Sequence, residues 1–193
     1  VHIADVASYV DINSVLDLYA QKRASNLYLP DQILHMLPPK ISDVCSLGIG
    51  EISNAVSVGF LMNDSEISDI KIYLSQIKVT KMSYEEADKS LHENIWLSKL
   101  NEIAKEHKKY RDSSGALRLN LPKTDIKIKD QRVMVFPQIE SESREMVSEM
   151  MVLAGRVIAQ YSIKNNISMP YLSQASGKFS EEIIENINNL SLS

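Results

Sequence analysis

One cysteine, Cys45, stands among 193 residues, which excludes an internal disulfide and any zinc site built from several thiolates of one chain. Glycine is scarce at six residues, and none falls in the pattern of a P-loop, a dinucleotide-binding turn or a nucleophile elbow. Basic residues hold no surplus: 21 Lys and Arg face 25 Asp and Glu, a net charge of -4. That balance argues against bulk coating of nucleic acid and leaves a local basic channel open. No apolar run approaches the ~18 residues that a membrane-spanning helix needs, and no membrane partner is expected. His2, His35, His92 and His107 lack metal-ligand spacing. Asp5, Asp11 and Asp17 are scattered rather than clustered, so no site for a divalent cation is evident either.

What is present is the pattern of a globular domain, with 44% hydrophobic and 24% charged residues. "VHIADVASYV" reads as a buried strand entering a turn, with Val1, Ile3 and Val6 spaced through small and polar residues. "SVLDLYAQKRAS" is predicted to be a helix, with Ser14 as its N-cap and Asp17 in the first turn, where the dipole favours an anion. The following stretch to Gly48 is apolar without helical period, and Pro30, Pro38 and Pro39 are expected to hold it extended. Residues 54–81 alternate as a hairpin about "NDSE". Val56, Val58, Phe60 and Met62 share one face of it, and Ile70, Ile72 and Leu74 continue the pattern.

A short helix is expected from a capping box at Ser83 and Glu86. A longer one, about 94–111, carries Trp96, Leu100, Ile103, His107 and Tyr110 as its inner stripe. Strands follow at "ALRLNL", with Leu117, Leu119 and Leu121 on one face, and on either side of "KDQ". The last clear helix, about 143–164, has Met146, Met150, Leu153, Val157 and Tyr161 as its core stripe. Without a strict βαβ rhythm, the fold class is α+β with a mixed, largely antiparallel sheet and packed helices.

Polar candidates are few. Glu142, Glu145 and Glu149 line one edge of the last helix, with Arg156 further along it. They form a solvated, salt-bridged edge, or else Glu149, nearest the apolar face, points into a cleft. The basic run "KEHKKYR", Lys105 to Arg111, suits a helix C-terminus and reads as a solvated face or as phosphate contacts. Tyr28, beside Pro30, and Tyr84, just inside a capped helix, are each open to core packing or to base stacking.

In order and spacing, "VHIADVASYV", "LDLYAQKRASNLYLPDQILHMLPPKISDVCSLG", "SYEEA", "SGALRLNLP" and "VSEMMVLAG" resemble the RNB catalytic domain of the ribonuclease II and ribonuclease R exoribonucleases. The wording of "SEMMVLAG" is most similar to the cyanobacterial and plastid branch. The resemblance implies a processive, hydrolytic 3′→5′ exoribonuclease, dependent on Mg²⁺, that degrades single-stranded RNA to nucleoside 5′-monophosphates. It implies RNA contacts at Tyr28, Tyr84, Ser148 and Glu149. Ser148 stands where the family often has a glutamate, so a carboxylate acceptor for the 2′-OH is missing there. Gly155 stands where Asn is common.

The family's metal-holding aspartates are expected upstream of residue 1, and its later arginine motif after residue 193. Residues 1–193 are therefore expected to be an RNB domain truncated at both ends, with no catalytic or metal-ligating residue of its own and no activity in isolation. The resemblance further implies a monomeric, cytoplasmic parent (or a plastid one) with flanking OB-type domains. An RNB-like protein that binds RNA without cutting it is the alternative.

Overall fold

The structure, a computed structural model, describes residues 1–63, 65–116, 124–129, 132–137 and 141–172. The chain divides into two compact units. The first comprises Val1–Leu61, Ile67–Ser83 and Ile126–Val135, and the second Met62–Glu66, Tyr84–Asp125 and Phe136–Ser193. Antiparallel pairing and packed helices make it α+β, as expected. No helix among the described residues is long and apolar enough to cross a membrane.

In the first unit the opening residues do form a strand, β1 (His2–Ala4), paired antiparallel with β4 (Ser53–Asn63), and β5 (Glu66–Ile77) flanks β4 on its other side. As an edge strand, β1 is not buried: Val1, Ile3 and Val6 are all exposed by more than a third. The first helix, α1 (Val15–Arg23), starts where its capping residues indicate, with Ser14 Oγ accepting from the Asp17 amide. Beyond it the chain is not simply extended. Leu27–Tyr28 (β2) and Ile33–Leu34 (β3) pair as a small ribbon around Pro30 and Asp31, and the Asn26 side chain accepts from the Met36 amide.

Pro39 likewise opens a helix, α2 (Pro39–Cys45), while only Pro38 stays extended. A proline suits the first helical position, because its ring presets φ and it has no N–H to leave unpaired. Cys45 is buried, and burial raises its thiol pKa, with Asp5 adding to the effect. After α2, Gly48 takes φ +75°, and a Cβ there would lie 3.1 Å from Val79 Cβ.

β4 ends at Asn63 and β5 begins at Glu66, where the sequence pattern breaks. The best-buried face of β4 is not the apolar one, however. Ser53, Ala55 and Ser57 are nearly inaccessible together with Val58, whereas Val56, Phe60 and Met62 are half-buried. β4 is the central strand, and small side chains let its neighbours close in. Ser57 Oγ bonds His2 Nδ1 from β1 and Ser75 Oγ from β5, so the polar face is satisfied by its own sheet. The alternation in β5 also shifts after Ile72 to Ser75 and Ile77, which leaves Leu74 exposed. Two later strands, β6 (Thr124–Lys129) and β7 (Arg132–Pro137), pair with each other. Leu117, Leu119 and Leu121 lie outside the described residues.

The second unit is built from α3 (Tyr84–Ser90), α4 (Ile95–Ser113) and α5 (Glu142–Lys164). Asn94 caps α4, its side chain accepting from the Trp96 and Leu97 amides. Leu91, Ala104 and Met146 form one core cluster, with Leu97 and Met150 against them. On α5 the expected stripe holds: Leu153 and Val157 are wholly buried, each such side chain being worth about 1.5–3 kcal/mol. On α4 it does not. Trp96 is 77% exposed, and the inner face runs through Asn101, Ala104 and His107.

Candidate functional site

The polar inner face of α4 is explained by its partner on α5. Glu142 bonds Asn101 Nδ2 at 2.9 Å and pairs with Lys105, Glu145 pairs with Lys108, and Glu149 meets both His107 and Arg111. The glutamate edge and the basic run are thus two halves of one interhelical seam. Lys105–Glu142 and Lys108–Glu145 lie in solvent, where such pairs contribute about 0–1 kcal/mol.

Glu149 differs from its neighbours. Its side chain is 5% exposed; His107 Nδ1 lies 2.9 Å from Oε1, and Arg111 Nη1 donates to both carboxylate oxygens at 3.0 Å. A carboxylate only accepts, so His107 carries its proton on Nδ1. The other ring nitrogen, Nε2, is buried without a partner among the described residues. Burial lowers the His107 pKa, Glu149 opposes the shift, and Arg156 and Arg111 reinforce it. The Arg156 guanidinium covers the Tyr110 ring at 4.2 Å and donates to the Ser65 carbonyl at 3.2 Å, which holds the tip of the β4–β5 hairpin against α5. Glu149 therefore faces α4 rather than open space.

The other candidates on this unit are Ser148 and Tyr84. Ser148 is exposed. Tyr84 opens α3 and is tied to the start of α5: Ser143 Oγ donates to the Tyr84 carbonyl at 3.1 Å, and the Ser143 amide to Asp88 Oδ1 at 2.8 Å. The bonds from Ser143 hold the Asp88 carboxyl below its ordinary pKa. One face of the Tyr84 ring carries the Arg144 guanidinium, 4.4 Å from its centroid. Arg144 was not singled out by sequence reasoning, although a cation in the first turn of a helix, against the dipole, was a signal that could have been read.

Tyr28 belongs to the first unit. It is the last residue of β2 before the turn at Pro30 and is 70% exposed, so its ring serves no core. A shallow pocket of about 190 Å³ near the base of this ribbon is lined by Asn26, Met36, Leu37 and Cys45 and does not include Tyr28. Among the described residues, no three His, Cys, Asp or Glu side chains converge as metal ligands. Those residues therefore offer no set that fits Mg²⁺.

Residues 1–192 match the RNB domain family. Over 182 residues the chain is 34% identical to an uncharacterized ribonuclease of Synechocystis sp., an alignment covering 90% of this chain and 27% of that protein. It is 33% identical over 187 residues to the chloroplastic/mitochondrial ribonuclease II of Arabidopsis thaliana, covering 90% and 23%. The chain thus spans about a quarter of the length of these relatives. Among solved structures, the apo form of Mycoplasma genitalium RNase R superposes with a TM-score of 0.79 at 25% identity, covering 88% of this chain and 29% of that one. The same enzyme in complex with ribose-methylated single-stranded RNA gives 0.82 at 24% identity, covering 100% and 33%.

Proposed function

The chain belongs to the RNB domain family, and from that premise we propose that it is part of a processive, hydrolytic 3′→5′ exoribonuclease that degrades single-stranded RNA to nucleoside 5′-monophosphates. The observation that carries this reading is the family match along nearly the whole chain. The ribonuclease names of its relatives support it, and its fold is that of the M. genitalium enzyme solved with single-stranded RNA.

In this reading Tyr28 and Tyr84 offer their rings to bases or sugars of the substrate strand, a contact that every base accepts because every base has a π-face. The 70% exposure of Tyr28 supports that use. Ser148 presents a hydroxyl to the sugar, a weaker partner for a 2′-OH than a carboxylate. Glu149 acts one step back, by fixing the seam from which the outer face of α5 is presented. Nucleases of this family use a divalent metal. We assign Mg²⁺ to the parent protein, held by residues other than those described, and place the parent in the cytoplasm, with the plastid as the alternative raised by the Arabidopsis relative. A monomer with flanking OB-type domains completes the proposal.

The test follows 3′-labelled and 5′-labelled single-stranded RNA incubated with the full-length parent protein and Mg²⁺. Release of labelled mononucleotide from the 3′ end, with progressive shortening of the 5′-labelled strand, is the expected result. Tight binding without cleavage would replace the nuclease with an RNA-binding protein of the same fold.

A further inference from the structure

We propose that Arg144 is a phosphate-contacting residue of the RNA site, aimed by its stack on Tyr84. The inference rests on the reading of Tyr84 as an RNA contact and adds a residue and a charge to it. Arg144 occupies the first turn of α5, whose positive dipole end disfavours a cation. The basic side chains that α4 turns toward α5 have carboxylate partners there: Lys105 has Glu142, Lys108 has Glu145, and Arg111 has Glu149. Arg144 has none within ion-pair distance among the described residues, and it is exposed. Asp88 senses its charge only weakly, after the bonds from Ser143 and Ser141.

A position that breaks a local rule without a local return is where a functional demand is expected. Here the side chain also has a ring to rest on. Its guanidinium lies 4.4 Å over the Tyr84 ring, and Tyr84 is pinned through its carbonyl by Ser143, the residue preceding Arg144. A cation–π contact engages the face of the ring and uses none of the guanidinium N–H groups as hydrogen-bond donors, and a guanidinium fork matches two phosphate oxygens. The same stack fills one face of Tyr84, so a nucleotide meets only the other face or the ring edge. Ser148 follows Arg144 by four residues, about one helical turn, and is also exposed. Ring, cation and hydroxyl thus share one end of the helix, suited to base or ribose, phosphate and 2′-OH of a single nucleotide unit.

Binding of the 193-residue chain to a fluorescein-labelled oligoadenylate, followed by anisotropy from 50 to 200 mM KCl, tests this. Arg144→Ala is expected to weaken binding roughly tenfold, the effect of removing a charge-assisted hydrogen bond. Its log Kd against log salt slope should become shallower by about 0.7, the value for one single-strand phosphate no longer neutralised. Arg144→Lys keeps the charge and should keep the slope while losing part of the affinity. Should the alanine variant melt early, Arg144→Gln repeats the measurement. An Arg144→Ala chain matching wild type overturns the inference and leaves the RNA reading standing. Weaker binding with an unchanged slope, shared by Arg144→Lys, also overturns it, since Arg144 would then only brace Tyr84. Absence of binding by the wild-type chain overturns the inference, while the RNA reading of the parent is decided by its own cleavage assay.

Discussion

His107 and Glu149 meet 2.9 Å apart across the α4–α5 seam, with side chains only 1% and 5% exposed. A histidine from a basic run and a glutamate from an acidic edge have both left the solvent, and each supplies the other's polar partner. Arg111 completes the arrangement from one helical turn beyond His107.

Removing the carboxylate leaves His107 Nδ1–H buried without its acceptor and Arg111 without its counter-ion. Glu149→Ala should therefore cost on the order of 3 kcal/mol. Glu145→Ala, which breaks only the exposed pair with Lys108, should cost under about 1 kcal/mol. Urea midpoints of the two variants check the difference. Equal midpoints would mean that the buried cluster holds nothing.

Stability should also fall in mild acid. His107 in the folded chain has its pKa lowered below the ordinary 6.5, chiefly by burial, so the unfolded chain takes up a proton first. The histidine's contribution is then complete above about pH 6.5 and is lost as pH drops below it. Asp88 and Glu142, both lowered by hydrogen bonds, add a second decline in the carboxylate range. Denaturation midpoints from pH 7.5 to 5 should slope in the wild type and flatten in His107→Gln.

Gly48 and Gly155 should respond oppositely to alanine. At Gly48 the left-handed backbone and the 3.1 Å approach of Val79 oppose a Cβ, and the strain should cost about 1–2 kcal/mol. Gly155 lies inside α5 with open space for 4 Å around the place a Cβ would take, so Gly155→Ala should stabilise by about 0.5–1 kcal/mol. Thermal melts of the pair give the answer.

Tyr28→Ala should leave the fold intact, within about 0.5 kcal/mol, because the ring is largely in solvent. Its expected effect is on RNA: a loss of about 1–3 kcal/mol in single-strand affinity for one stacked base. Unchanged affinity in an anisotropy titration would take Tyr28 out of the proposed site.

Helix starts and hydrophobic stripes were legible where one local rule sufficed. Ser14 and Asp17 announced α1, and the spacing from Met146 to Val157 announced α5. On α4 the apolar pattern points one step away from the buried face except at His107, because that face is polar and is made tolerable only by glutamates some 40 residues later in the chain. The inner face of β4 hid for the same reason: Ser57 is buried because His2 and Ser75 come to it from neighbouring strands. At the candidate site, spacing left Tyr28 and Tyr84 undecided between packing and contact. Exposure separated Tyr28 from the core, and only the placement of α3 beside α5 brought Arg144 to Tyr84.

The α4–α5 seam also bears on how this sequence can drift. Asn101, Lys105, Lys108 and Arg111 on one helix are matched to Glu142, Glu145 and Glu149 on the other, so the two segments form one inherited unit. At the Lys108–Glu145 pair, a charge reversed on one helix is repaired by reversal of its opposite, as in Lys108→Glu with Glu145→Lys. Glu142, by contrast, is also held to its sign by the buried Asn101 amide that donates to it. At Glu149 no single exchange serves, because His107 and Arg111 draw on the same carboxylate. Descendants of this chain are free to trade Lys108 and Glu145 as a couple, while the inner three must be kept or replaced together.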